Sequence, residues 1–231
     1  MVKPVLSVFA CSRIQSYIFG SNRLRENLGA SEIVKEALDG DLKRALPGDA
    51  LWDWADGHAW GADLTRVEVL YTGGGNAIVR FPSRQAALET ARRWSGDLLQ
   101  KAPGLSLIAA HCPYEPDASL ADALRDLFAE LDRVKREVVL GTKQERFAVS
   151  LTASSGLAAS HWDGQDREWL SMESKAKQEA GTQNTITARL DRTVNLPARF
   201  RWTNQLNELV VREESPYIAV VHIDGNSMGR R

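Results

Sequence analysis

Cysteine is scarce: the 231 residues contain two, Cys11 and Cys112. They lie far apart and each adjoins an apolar run. A disulfide framework and a four-cysteine zinc site are therefore excluded, and the pair reads as reduced core thiols of a cytosolic protein. An excess of one charge is also lacking. Lys and Arg number 29 against 30 Asp and Glu, a net charge of −1, so no global basic field calls for nucleic acid or an anionic membrane. No apolar run is long enough for a membrane span, and the start MVKPVLSVFACS turns polar too soon for a signal peptide. The expected setting is cytoplasmic, with no membrane partner. Ser155 does not stand in a G-x-S-x-G elbow, so Ser155 and His161, in the turn-rich stretch 152–166, do not read as a nucleophile and its base. His58, between Asp56 and Asp63, supplies too few nitrogen or sulfur ligands for a closed structural metal site. What remains is ordinary globular composition, 43% hydrophobic and 26% charged. It suits one large domain, or one domain and a smaller piece.

The most structured stretch is 67–81, VEVLYTGGGNAIVRF. Val67, Val69 and Tyr71 alternate with more polar neighbours. Ala77, Val79 and Phe81 share one face, with Ile78 and Arg80 on the other. This period of two predicts two strands, and Gly73, Gly74 and Gly75 between them predict a tight hairpin. Two readings of the glycines stand side by side. They let the chain reverse, or their exposed amides form a concave anion site suited to a phosphate.

Around the hairpin the pattern is regular. Residues 5–11 (VLSVFAC) form a short buried strand. Ile33, Val34, Ala37, Leu38, Leu42, Ala45 and Leu46 recur at helical steps, with Ser31 as N-cap, Gly29 separating a shorter preceding turn, and Pro47-Gly48 as the stop. Ser83 caps a second helix striped by Ala87, Leu88, Ala91, Trp94 and Leu98. Residues 105–112 make another apolar strand, on which His111 reads as a satisfied strand-end histidine. The order is βαββαβ, predicting an α+β fold: a ferredoxin-like sandwich whose four-stranded antiparallel sheet carries two helices on one face. That topology sets the turn at 73–76 beside the end of the first strand, near Ser12. Trp52, Trp54 and Trp60 read as indoles packing an insertion on the domain rather than as a cage for a base or cation.

Residues 117–140 predict a long helix with Leu120, Leu124, Leu127, Leu131, Val134 and Val138 in one stripe and the charges on a solvated face. A strand is expected at 147–151, a polar helix at 167–180 and a helix at 200–211. Residues 217–223 (YIAVVHI) form a last strand, followed at once by Asp224-Gly225-Asn226-Ser227-Met228-Gly229. A strand needs neighbours. It either completes the first sheet or, the favoured reading, opens a second domain. The expected organisation is 1–115, 116–215 as a mainly helical linker, and 216–231 as the start of the second domain.

Three segments resemble one family, the large polymerase-like subunit of type III CRISPR effector complexes. Ile14-Gln15-Ser16-Tyr17-Ile18-Phe19, followed by Gly29-Ala30-Ser31, is similar to the opening of its first ferredoxin-like palm. Tyr71-Thr72-Gly73-Gly74-Gly75-Asn76 resembles that palm's hairpin. Asp224 to Gly229 resembles the D-G-D-x-M-G motif that follows the first strand of its second palm. The resemblance implies a nucleotide-binding palm in a metal-dependent cyclic oligoadenylate synthase of antiviral defence. It would bind ATP between two palms, with Mg²⁺ or Mn²⁺ held by second-palm carboxylates, and would act with other effector subunits, guide RNA and target RNA.

On the same resemblance, Gly73, Gly74, Gly75 and Asn76 would cradle nucleotide, and Asp224 with Asn226 would stand at the metal position. The departures matter as much. No G-G-D-D occurs, Asn226 replaces an expected Asp, the first strand ends Ala10-Cys11-Ser12 without a carboxylate, and the family's zinc cysteines and histidine-aspartate nuclease are missing. The expectation is a palm without catalytic residues of its own, inactive as this portion. Two alternatives stand: a non-enzymatic scaffold docking partner subunits or RNA, and a nucleotide cyclase-like protein outside CRISPR systems. An RNA-binding sheet of the stacking type fits less well, because Tyr71 and Phe81 are expected to face the core.

Overall fold

The computed structural model describes residues 3–52, 60–61, 63–137, 151–152 and 155–182, with isolated positions at 188, 191–192, 194–198 and 202. Strand β1 (Val5–Ser12) leads through a short helix α1 (Ile14–Ile18) into α2 (Leu24–Glu36). A π-helical turn (Ala37–Asp41) and α3 (Leu42–Ala45) continue α2. Strands β2 (Glu68–Gly73) and β3 (Asn76–Phe81) form the central hairpin, followed by α4 (Arg84–Lys101) and β4 (Ser106–Pro113). The sheet order is β2-β3-β1-β4, with β1 antiparallel to both β3 and β4 and β2 antiparallel to β3. The fold is thus α+β around a four-stranded antiparallel sheet, an order compatible with the ferredoxin-like sandwich. No helix among the described residues is long and apolar enough to cross a membrane.

Alternation along β1 builds two cores at once. Val5, Phe9 and Cys11 face one way, with Val67, Val69, Ala77, Val79 and Phe81, and meet Val34, Leu38, Leu42, Trp94 and Leu98 of the helices. Phe9 sits edge-on to Trp94 with ring centroids 5.4 Å apart, and the Trp94 indole donates to the Ala37 carbonyl at 2.7 Å. That bond satisfies the one polar atom of a fully buried aromatic. Ser83 caps α4 as predicted, its Oγ accepting from the Ala86 amide.

The other face is not bare. Leu6, Val8, Ala10, Ile78, Ile108 and Ala110 pack against Leu127 and Leu131 of α5 (Leu120–Glu137), flanked by Leu120, Leu124 and Val134. The stripe predicted for this helix is therefore the cover of the sheet's second face rather than part of a separate linker. Helices lie on both faces, not one.

Two further corrections concern packing. Gly29 does not interrupt a helix; it lies inside α2, whose N-cap is Arg23, and Ser31 is mid-helix. A Cβ on Gly29 would fall 1.8 Å from the Lys177 carbonyl oxygen of α6 (Met172–Thr182), and one on Gly181 would fall 2.2 Å from the Arg25 carbonyl. Glycine is needed at this crossing for close backbone approach, which outweighs its poor helix propensity. The second correction is at 167–171. Instead of helix, β5 (His161–Asp163) and β6 (Glu168–Leu170) form a hairpin with Trp162 opposite Trp169.

That hairpin is tied to α2 by a bidentate Arg23–Glu168 pair. Leu151 bridges Ala158. The expected strand residues 147–150, the helix at 200–211 apart from Trp202, and the strand at 217–223 lie outside the described residues.

Candidate functional site

Hydrogen bonds and side-chain contacts fix the hairpin turn tightly. Gly74 and Gly75 have φ of 56° and 83°, the pair of positive angles that a two-residue type I′ turn requires. Its twist matches the flanking strands, which is why glycine is selected at both positions. Asn76 pairs with Ala10 and Gly73 with Asn76. The Cys11 amide donates to the Gly75 carbonyl at 2.9 Å. The turn is thereby fastened to the end of β1, where the topology predicted it.

Two side chains pack on the turn. Ile14 lies under Gly75, its Cδ1 2.2 Å from where a Cβ would stand. Tyr71 curls over Gly73, its hydroxyl 2.5 Å from the corresponding position. Tyr71 was expected in the core and is 51% exposed. The reason is a β-bulge. Val69 pairs with Val79, yet Tyr71 pairs with Ile78, so the alternation slips by one residue between them. Phe81 is fully buried as expected.

Beside the turn, Arg13 adopts a left-handed conformation (φ 55°) at the junction of β1 and α1, and its side chain is exposed. The site therefore offers glycine backbone and the Asn76 amide, with Arg13 the first residue after β1. Residues 71–76 contain no carboxylate. The nearest thiol, Cys11, is buried, and burial pushes its pKa up to about 12, far from thiolate chemistry. Such a site can donate hydrogen bonds to an anion, and among the described residues of the turn there is no carboxylate, imidazole or thiolate.

The other candidates separate. Asp224 and Asn226 lie outside the described residues, as do Asp56, His58 and Trp54. Asp63 is occupied locally by the Thr65 amide and hydroxyl, at 2.9 and 2.6 Å. Among the described residues no three His, Cys, Asp or Glu side chains are grouped to hold a metal ion. Trp52 joins the helix-side core with Lys43 over its ring, whereas Trp60 lies on the opposite face against Tyr114 and Arg80, so the two indoles do not share a cage.

Ser155 bonds Thr152, and His161 bonds Ser160, rather than each other. His111 is satisfied by Ser7, Nδ1 to Oγ at 2.8 Å. Its pKa is lowered, first by burial and then by Arg84. Sequence reasoning missed Arg13, Ile14 and the outward Tyr71. A bulge leaves no composition signal, and only the register exposes it. Neither a family model nor a curated protein matches this chain.

Proposed function

We propose that this chain is the nucleotide-binding first palm of a type III CRISPR large subunit, part of a cytoplasmic cyclic oligoadenylate synthase, and silent as a catalyst by itself. One observation carries the reading. The Gly74-Gly75 turn occupies the middle hairpin of a βαββαβ sheet, fastened to the end of β1 by the Cys11–Gly75 hydrogen bond. In a working palm this place would carry metal-binding acids; here glycines and Asn76 stand there instead. Such a turn can cradle ATP phosphates but cannot hold two cations. Mg²⁺ or Mn²⁺ would be recruited through Asp224, and Asn226 weakens that position by one charge.

The test is calorimetric titration of the chain with ATP. Binding is expected, weakened about tenfold or more in Gly74→Asp, which sets a carboxylate against the phosphates. No binding by the unaltered chain refutes the reading. Incubation with ATP and Mg²⁺ or Mn²⁺ should yield no oligoadenylate; metal-dependent product lost in Asp224→Ala overturns the claim of silence.

A second reading, a non-enzymatic scaffold, is favoured by the cross-strand pair Trp162 and Trp169. These rings are 5.7 Å apart and 56% and 52% exposed, and exposed Trp is enriched at binding hot spots. On that reading ATP does not bind and Trp162→Ala releases a partner subunit. The sheet itself cannot stack RNA bases on its second face, because α5 covers it.

A further inference from the structure

Away from the hairpin, a cleft of about 660 Å³ opens between α2, the π-helical turn, the end of α4 and α6. Its size is that of a small-molecule site. Leu98, Ala102, Met172 and Ala176 give it an apolar floor. The π-helical turn ends at Asp41, and such turns recur at functional sites. Asp41 is the fixed charge of the cleft: its side chain is 5% exposed. Its two partners are of the opposite kind. Lys101 reaches Asp41 at 2.7 Å, Arg44 also bonds it, and these cations are 52% and 54% exposed on long flexible stems.

Fixed and mobile charge are thus unequal. The carboxylate cannot leave the wall, because its backbone is part of the buried turn. Either cation can swing into water at little cost, since a half-exposed ammonium is nearly as well solvated there. Glu36 and Glu179 also line the cleft and add negative charge; they pair with Arg44 and Lys175, both at least 40% exposed. An incoming cation can therefore replace a resident one, whereas an incoming anion meets a carboxylate that cannot move.

We infer that this cleft binds a primary alkylammonium group, its head replacing the Lys101 ammonium at Asp41 and its chain lying on the floor beside Met172. The chemistry is common to a free aliphatic amine and to a lysine side chain of another protein. Leu98, Ala102, Met172 and Ala176 give a hydrocarbon chain apolar area to bury that a polyhydroxylated cation would not gain from, which favours a hydrocarbon-bodied amine.

Met172 makes the test direct. The chain has three methionines, Met1, Met172 and Met228, so ¹³C-methyl methionine labelling gives few signals, and Met172→Leu assigns the one in the cleft. Titration with pentylammonium should move the Met172 methyl saturably, whereas pentanol and pentanoate should not. Lys101→Met should tighten binding, by removing the competitor, and Asp41→Asn should weaken it about tenfold or more. The opposite signs of these variants separate charge recognition from general loosening, and Lys101→Met decides alone if Asp41→Asn does not fold.

A second arm uses acetyl-Gly-Lys-Gly-amide. A comparable shift assigns the site to a lysine of a protein segment, and no shift assigns it to a free amine. The inference is overturned if pentylammonium leaves Met172 unmoved, if pentanol or pentanoate moves it equally, or if Lys101→Met leaves the affinity unchanged.

Discussion

The two faces of the sheet are built on different principles. The α2–α4 face is apolar and aromatic. Phe9, Phe81 and Trp94 interlock there, and the buried indole N–H is answered by a backbone carbonyl. The α5 face is also dry, but it contains a buried ion pair. Arg80 and Glu68, 0% and 1% exposed, meet at 2.8 Å across the β2–β3 ladder. The Asp63 carbonyl accepts from Arg80 and the Gly61 amide donates to Glu68, while Trp60 lies over the guanidinium. The first face obtains stability from area and shape. The second fixes one register, because a one-residue slip of β2 against β3 would separate the charges in a medium that cannot solvate them.

That contrast can be broken by mutation. The largest effect is expected from Arg80→Met, which leaves Glu68 buried without its guanidinium and should cost about 3–5 kcal/mol in chemical denaturation. The double change Arg80→Met with Glu68→Leu should recover most of it. A double variant no more stable than the single would show that the pair contributes stability rather than register. Next, Leu127→Ala on α5 and Leu98→Ala on α4 should each cost about 2–5 kcal/mol, as buried leucines do. If Leu127→Ala costs under about 1 kcal/mol, α5 is only loosely laid on the sheet, and the second face is not a core.

Smaller effects probe the turn that both faces share. Gly75→Ala puts a side chain at positive φ and against Ile14, for about 1–2 kcal/mol of strain. Adding Ile14→Ala should relieve the contact but not the backbone cost. Full recovery would mean that the turn conformation is not what selects glycine.

The smallest effect is pH-dependent. His111 has a folded pKa below the ordinary 6.5, so the unfolded chain binds its proton first. Stability should fall as pH drops below about 6.5 and level off once the folded form is protonated too. His111→Gln should flatten that limb of a melting-temperature profile. An unchanged profile would place the titration elsewhere.

Much of the first 113 residues was legible before any coordinates. The period-two run at 67–81 and the apolar runs at 5–11 and 105–112, with the Ser83 cap and the Pro47-Gly48 stop, were enough for the strand order and for the turn's place beside β1. Gly29 was misread because glycine has the same letter whether it breaks a helix or lets two helices touch. Residues 167–171 were misread because a three-residue strand has too few positions to show a period.

Sequence by itself determined the elements, the alternating faces of β1 and β3, and the absence of acids from the hairpin turn, because these depend on local spacing and residue type. Tertiary structure alone decided that α5 closes the second face, that Tyr71 turns outward past a bulge, and that Asp41 is the immovable charge of a cleft. Each of these depends on which residues from distant parts of the chain meet, and on how much water is left between them when they do.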